Sequence, residues 1–241
     1  MNIFELMSFR SAQELAQAAA IAWLQDLEKS DRTGNHYCVA LSGGRIAQDF
    51  FSAVVKAAQG RLAAFRTVHF FWADERCVPP SDSESNYRVA AEHLFAPLKI
   101  LDSQIHRVRG EAPPPIAADS ASKDLRQFAS SVQNGLPVLD MIFLGMGEDG
   151  HVASLFPCER STSLTEPPVY RAVANSPKPP PNRVTLNFPT ISVARKVWMI
   201  ASGPGKEKAL QESLLPNGKT PFADVMHHRS DTRIWTDISV K

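Results

Sequence analysis

Hydrophobic positions along this chain fall into short apolar runs alternating with longer stretches at helical spacing. Leu15, Ala18, Ala19, Ala22 and Trp23 recur every three to four residues, predicting a helix capped by Ser11 and ending near Ser30. Asp31 to His36 reads as a loop and Tyr37 to Leu41 as a short buried strand. Ser42-Gly43-Gly44 then leads into a helix from about Ile46 to Ala58, with Ile46, Phe50, Val54 and Ala57 on its apolar face. Val68 to Trp72 is a second strand, ending in a polar loop, Asp74-Glu75-Arg76, and another helix begins near Ser85. The pattern further predicts a short strand at Ile105 to Val108, a spacer at Pro113-Pro114-Pro115, and a helix from Ile116 to Val132 closed by Asn134-Gly135.

Leu139 to Leu144 is again a run of strand length, followed by Gly145, Gly147 and Gly150, which demand a tight turn. Pro157 to Pro181 is rich in Pro, Ser and Thr, with one strand at Tyr170 to Ala174. Beyond it come a strand at Arg183 to Leu186, a short helix at Pro189 to Ala194 and a strand at Val197 to Ala201. The turn Gly203-Pro204-Gly205 opens a helix containing Lys206, Ala209, Leu210 and Leu214; Pro221 starts another, and Thr232 to Trp235 is the last strand. This alternation predicts an α/β fold: a doubly wound, mostly parallel sheet with helices on both faces, in a single domain over residues 1–241.

Composition narrows the function. A formal charge of +1 leaves no polyanion footprint, so nucleic acid and membrane surfaces are not expected partners, and anion recognition has to be local. No run approaches transmembrane length, and the N-terminal segment reads as an amphipathic helix rather than an export signal. Cys38, Cys77 and Cys158 are scattered without metal-ligand spacing, which predicts free thiols in a reducing, cytoplasmic setting. His69 lies inside an apolar strand as a packed residue, and the adjacent His227-His228 cannot share one ligand from a regular helix, so no metal site is expected.

Three strand ends carry candidate chemistry, and in an open parallel sheet they have to converge. At Ser42-Gly43-Gly44-Arg45 unpaired helix N-terminal amides and small residues suit a phosphate cradle, although a simple tight turn has the same signature. In Asp74-Glu75-Arg76 a guanidinium can take phosphate oxygens and Asp74 can accept from sugar hydroxyls; a structural ion pair is the competing reading. In Glu148-Asp149-Gly150-His151 a carboxylate two residues from an imidazole can hold its tautomer and raise its basicity, as a general base requires; helix capping is the plainer alternative. Arg183 follows the rigid Pro179-Pro180-Pro181-Asn182 approach, and Lys206 opens a helix, where a bound anion would offset the opposed dipole.

Taken together, Leu41-Ser42-Gly43-Gly44, Asp74-Glu75-Arg76 with Ser85-Asn86-Tyr87, and Asp140 through His151 with Ala153-Ser154-Leu155-Phe156-Pro157 resemble the 6-phosphogluconolactonase family, as do Arg183-Val184-Thr185-Leu186 and Gly203-Pro204-Gly205-Lys206. The matches run in order over nearly the whole chain. The resemblance implies a Rossmann-like sheet shared with glucosamine-6-phosphate deaminase and ribose-5-phosphate isomerase. It implies hydrolysis of 6-phospho-D-glucono-1,5-lactone to 6-phosphogluconate, in the oxidative pentose phosphate pathway, without metal or cofactor and commonly by a monomer. By position, His151 would be the base that activates water and Asp149 its support. Gly43, Gly44, Arg76, Arg183 and Lys206 would bind phosphate, and Asp74 the sugar.

One departure stands out: Arg45-Ile46-Ala47 replaces the small hydroxyl residue with which the family usually continues its Ser-Gly-Gly turn. Arg45 then either reinforces the phosphate site or points away. The deaminase family continues its Asp-Gly-His turn with an acid that here is replaced by Phe156, which argues against ring-opening chemistry. A sugar-phosphate sensor on the same fold would have had no need to keep both Asp149 and His151.

Overall fold

Apolar runs that lack alternation are buried on both faces, and such strands pair in parallel with helices covering them. The computed structural model describes residues 4–30, 35–157 and 168–240. In chain order it contains β1 (Phe4–Ser8), α1 (Ala12–Ser30), β2 (Tyr37–Leu41), α2 (Arg45–Ala57), β3 (Val68–Trp72) and β4 (Asp74–Arg76). Next come α3 (Asn86–Ala90) and α4 (Ala96–Leu98), joined by a π-helical turn, then α5 (Pro114–Phe128), β5 (Val132–Gln133), β6 (Leu136–Pro137) and β7 (Met141–Leu144). The remainder is β8 (Tyr170–Val173), β9 (Arg183–Leu186), α6 (Phe188–Val193), β10 (Val197–Ala201), α7 (Glu207–Leu214), α8 (Pro221–His227) and β11 (Thr232–Thr236).

Six strands form one sheet in the order β1-β11-β10-β7-β2-β3, and every neighbouring pair is parallel. From β2 the chain steps outward to β3; from β7 it steps the opposite way, through β10 to β11. The direction therefore reverses between β2 and β7. Right-handed crossovers then put α1 and α2 on one face and α7 and α8 on the other. Helix α1 packs along α2, and the buried Trp23 lies edge-on to Phe143 of β7 at 5.0 Å while Phe50 of α2 approaches the same ring at 4.8 Å. The doubly wound architecture is the one the alternation predicts.

Several local expectations are corrected. Asp74-Glu75-Arg76 is no loop: it is β4, paired antiparallel with β9, and β8 completes a separate three-stranded sheet. A polar tripeptide leaving a buried strand still needs backbone partners, and β9 supplies them. Ile105 makes only an isolated bridge to Phe70 rather than opening a strand. Pro114 and Pro115 start α5 instead of forming a spacer, because a first-turn residue has no backbone bond to lose. Asn134 and Gly135, at φ 51° and 75°, are the two-residue turn of the β5–β6 hairpin, not a helix closure. Strand β1 is an addition at the edge, with a half-exposed pattern that carries little hydrophobic signal. Of the segment from Pro157 to Pro181, Cys158 and residues 159–167 lie outside the described residues.

His69 is packed, as its strand position implies. It meets His106 at 2.9 Å (Nδ1 to Nε2) and packs at a tilt against His36 and Phe128, at ring separations of 4.3 and 4.7 Å. Burial first, then the neighbouring His36 and His106, push its pKa down to about 4. His106 is likewise lowered by burial, with Asp124 opposing the shift. The unfolded chain, with ordinary imidazoles near pH 6.5, therefore binds more protons than the fold as pH drops toward 4. Stability contributed by His69 is present above that window and lost on descending through it. Thermal unfolding followed from pH 7 to pH 4.5 is expected to show a falling midpoint, and His69→Phe to make that fall shallower.

Candidate active site

Reversal of the chain between β2 and β7 opens a crevice at their carboxyl ends, where open α/β sheets bind ligands. The two strand ends are tied together by Ser42 Oγ, which donates to the Phe143 carbonyl at 2.8 Å. A cleft of about 130 Å³ lies above them, lined by residues that include Gly43, Gly44, Arg45, Asp74, Arg76, Asn86, His151, Arg183 and Lys206. The three polar strand ends thus converge as the parallel sheet required. Asp149 does not line this cleft but stands directly behind His151.

The turn after β7 is built to hold one imidazole. Gly147 N–H donates to the His151 carbonyl at 2.9 Å and Gly150 N–H to the Gly147 carbonyl at 3.0 Å, closing a tight loop. His151 Nδ1 and Asp149 Oδ1 are 2.5 Å apart. A Cβ on Gly147 would come within 2.1 Å of both Cε1 and Nδ1 of His151, so only glycine leaves room for the ring. Phe156 packs against the ring at 4.9 Å. Burial lowers the His151 pKa, while the hydrogen bond and charge of Asp149 oppose the fall and Lys178 adds to it. For Asp149 burial acts upward, but the hydrogen bond and charge of His151 prevail and hold the carboxyl below its usual range. The pair rests as carboxylate and neutral imidazole at pH 7. With Nδ1–H given to Asp149, the lone pair sits on Nε2.

Opposite this turn, β4 alternates its side chains: Asp74 and Arg76 face the cleft, and Glu75 faces away. Asp74 is buried, and its carboxylate accepts from Ser154 Oγ at 2.7 Å and from Asn86 Nδ2 at 3.4 Å. Glu75 accepts from the backbone N–H groups of Arg76, Asn86 and Tyr87 at 2.7–2.8 Å and from Ser85 Oγ at 3.1 Å. Burial nevertheless pushes its pKa up to about 7. Glu75 thereby anchors the start of α3 and seats Asn86 at the cleft wall. Its role, with those of Asn86 and Ser154, is not among those the sequence pattern assigns. A helix start at Ser85 with orphan N–H groups calls for an acceptor, and the period-two strand pattern would have pointed Glu75 at it.

Four cations line the same cleft. Arg45 is the exposed first residue of α2, whose N-cap Gly44 offers no side chain and whose first turn carries no acid. Lys206 precedes α7; burial first, and then the charge of Arg45, lower its pKa, with Glu148 and Asp237 opposing. Arg76 donates through Nη1 to the Glu84 carbonyl at 2.6 Å, and its Nε is buried without a partner. Arg183 is 4% exposed. Its Nε and Nη2 donate to the carbonyls of Pro180, Lys178 and Pro179 at 3.1 Å, and Nη1 lies 3.9 Å from Asp74. The proline-rich approach does hold this guanidinium, through its carbonyls. Lys178, on the same segment, brings Nζ to 4.0 Å from Asp149. Glu148, exposed, lies against Gly205. Cys77 is half-buried and pushed up to about 11 by burial and Glu75, which leaves it no nucleophile. Among the described residues no group of three or more acids, histidines or cysteines could hold a metal ion.

Residues 10–235 match the model of the glucosamine-6-phosphate isomerases/6-phosphogluconolactonase family. The chain belongs to this family. It is 35% identical over 220 residues to 6-phosphogluconolactonase of Bos taurus, covering 89% of this chain and 83% of that one. It is 33% identical over 215 residues to 6-phosphogluconolactonase of Treponema pallidum, covering 89% and 86%. Among solved structures, 6-phosphogluconolactonase from Trypanosoma brucei superposes with a TM-score of 0.84 at 26% identity, covering 96% of this chain and 95% of that one.

Because Asp149 raises the His151 pKa against burial, Asp149→Asn is expected to lower the imidazole's titration midpoint further. Imidazole NMR titration measures this directly, and an upward movement would contradict the electrostatic assignment.

Proposed function

We propose that this cleft hydrolyses 6-phospho-D-glucono-1,5-lactone to 6-phosphogluconate, in the oxidative pentose phosphate pathway, with His151 as general base. The observation that carries the reading is His151 lining the cleft with its imidazole neutral and its Nδ1 held by Asp149. Relatives named 6-phosphogluconolactonase support it. Nε2 of His151 takes a proton from water as the oxygen adds to the lactone carbonyl carbon. The tetrahedral adduct then collapses, the bond from C1 to the ring oxygen breaks, and the imidazolium returns its proton to that oxygen. A strained ester with a poised leaving group needs no covalent nucleophile, and Asp149 stabilises the transient imidazolium.

The phosphate is assigned to the N-terminus of α2, through Gly43 and Gly44, and to the surrounding cations. Arg45 lines the cleft and lies near Lys206, which favours its reinforcing the phosphate site over its pointing away. Arg76 retains a free donor. Arg183, largely committed to carbonyls, contributes its charge and orients Asp74 through Ser154, while Asp74 contacts the sugar. Binding the remote phosphate is what holds C1 against the base. Ring-opening deamination lacks its acid here, because Phe156 fills that position and packs against the His151 ring and below the Arg183 guanidinium. We further take the chain as a single unit acting as a cytoplasmic monomer without cofactor. Described residues from Leu15 to Ile238 share one core cluster, Cys38 and Cys77 are free, and no described helix is long and apolar enough to cross a membrane.

Wild-type protein is expected to accelerate lactone hydrolysis above the spontaneous rate. His151→Ala should lower kcat/KM by about 10²- to 10⁴-fold while 6-phosphogluconate still binds in calorimetry. Undiminished turnover in that variant would remove His151 from the mechanism; ammonia release from glucosamine 6-phosphate would favour the deaminase.

A further inference from the structure

The Ser85-Asn86-Tyr87 motif has no part in the chemistry above, yet Asn86 lines the cleft with an unmet need. It is 3% exposed. Its Nδ2 donates to the Asp74 carbonyl at 2.9 Å and toward Asp74 Oδ1 at 3.4 Å, which settles which end of the amide is which. Its backbone N–H goes to Glu75 Oε1 at 2.8 Å. Its Oδ1 is buried and accepts from nothing. Among the described residues, the other buried side-chain atoms without partners are donors: Arg76 Nε, also at the cleft, and the indole nitrogens of Trp23, Trp72 and Trp235. A Cβ on Gly43 would stand 1.8 Å from this oxygen, so only glycine leaves room for Oδ1 at this wall of the cleft. A buried acceptor fixed from three sides and left empty is a group waiting for a donor.

We propose that Asn86 is a specificity-determining residue whose Oδ1 accepts a hydrogen bond from a ring hydroxyl of the phosphosugar lactone. The proposal rests on the lactonase reading. An amide oxygen repels phosphate oxygens and the ester carbonyl alike; on the 1,5-lactone the available donors are the hydroxyls at C2, C3 and C4. Asn86 and Asp74 then supply the acceptors for the sugar, while Arg45, Arg76 and Lys206, which line the same cleft, supply the cations for the phosphate. A site that buries an acceptor for one hydroxyl rejects the analogue lacking it, since the acceptor is left unpaired.

The test measures kcat/KM of wild type and Asn86→Ala, corrected for spontaneous hydrolysis, on the parent lactone and its 2-, 3- and 4-deoxy analogues. Wild type should lose on the order of 10- to 100-fold on one analogue. Asn86→Ala should lose a similar factor on the parent and nothing further on that analogue, keeping wild-type ratios for the other two. Each ratio is taken within one protein, so a general loosening of the site cancels. Ratios unchanged in the variant overturn the proposal, as does a uniform loss in kcat on all four substrates, which would assign Oδ1 to the attacking water. Asn86→Ser is the second variant should Ala not fold, and wild type that accepts all three analogues like the parent overturns the proposal with no variant. Failure of wild type to accelerate the parent lactone sinks the lactonase reading itself and is seen first.

Discussion

A parallel sheet returns every strand in the same direction, so the carboxyl ends of its strands share one rim. That constraint, with the reversal of winding between β2 and β7, underlies everything functional in this chain. Neighbouring crossovers peel away to opposite faces and leave a crevice that no helix fills. The hydroxyl of Ser42 bonds across it to the Phe143 carbonyl, so the glycine loop after β2 and the histidine turn after β7 are held at a fixed separation. Core packing supports the same geometry from below: Trp23, Phe50 and Phe143 lock α1, α2 and β7 together directly beneath those two loops.

The second layer of the site depends on buried carboxyl groups taking their hydrogen bonds from the protein. Asp74 and Glu75 are adjacent in sequence and would repel on one surface, but strand pleating sends them to opposite faces of β4. Glu75 gathers three backbone N–H groups and a hydroxyl and starts α3. Asp74 is held by Ser154 and Asn86, with the Arg183 guanidinium beyond. Asp74 shares the cleft with Arg45, Arg76, Arg183 and Lys206. That mixture suits a ligand that carries both hydroxyls and a phosphate. The imidazole lines the same cleft, kept uncharged by burial and kept basic by Asp149.

Much of this was legible in the residues. The apolar runs located β2, β3, β7 and β10 because strands buried on both faces are written as unbroken hydrophobic sequence. The Gly145–His151 turn and its Asp–His pair were legible because the interaction is local, spanning two residues. The edge strand β1 was not, since its partly exposed residues need a neighbour, β11, to become a strand at all. Asn134-Gly135 reads as a helix end in the sequence although its two positive φ angles make a hairpin turn; both structures use the same residue types. For Glu75, Asn86 and Ser154, the partners lie 10 to 80 residues apart, and nothing in their immediate sequence announces a buried network.

By itself the sequence determined the class of fold, the order of its buried strands, the three polar strand ends and the Asp149–His151 turn on which the proposed base stands, all properties carried by spacing over a few residues. Tertiary structure alone decided which face each polar side chain takes. It showed that Asp74-Glu75-Arg76 is a strand, that Arg183 spends most of its donors on the carbonyls of its own approach, and that Asn86 is left with an empty acceptor. Hydrogen bonds are directional and saturable. Whether a side chain is free for a ligand is therefore known only when every group around it has been placed.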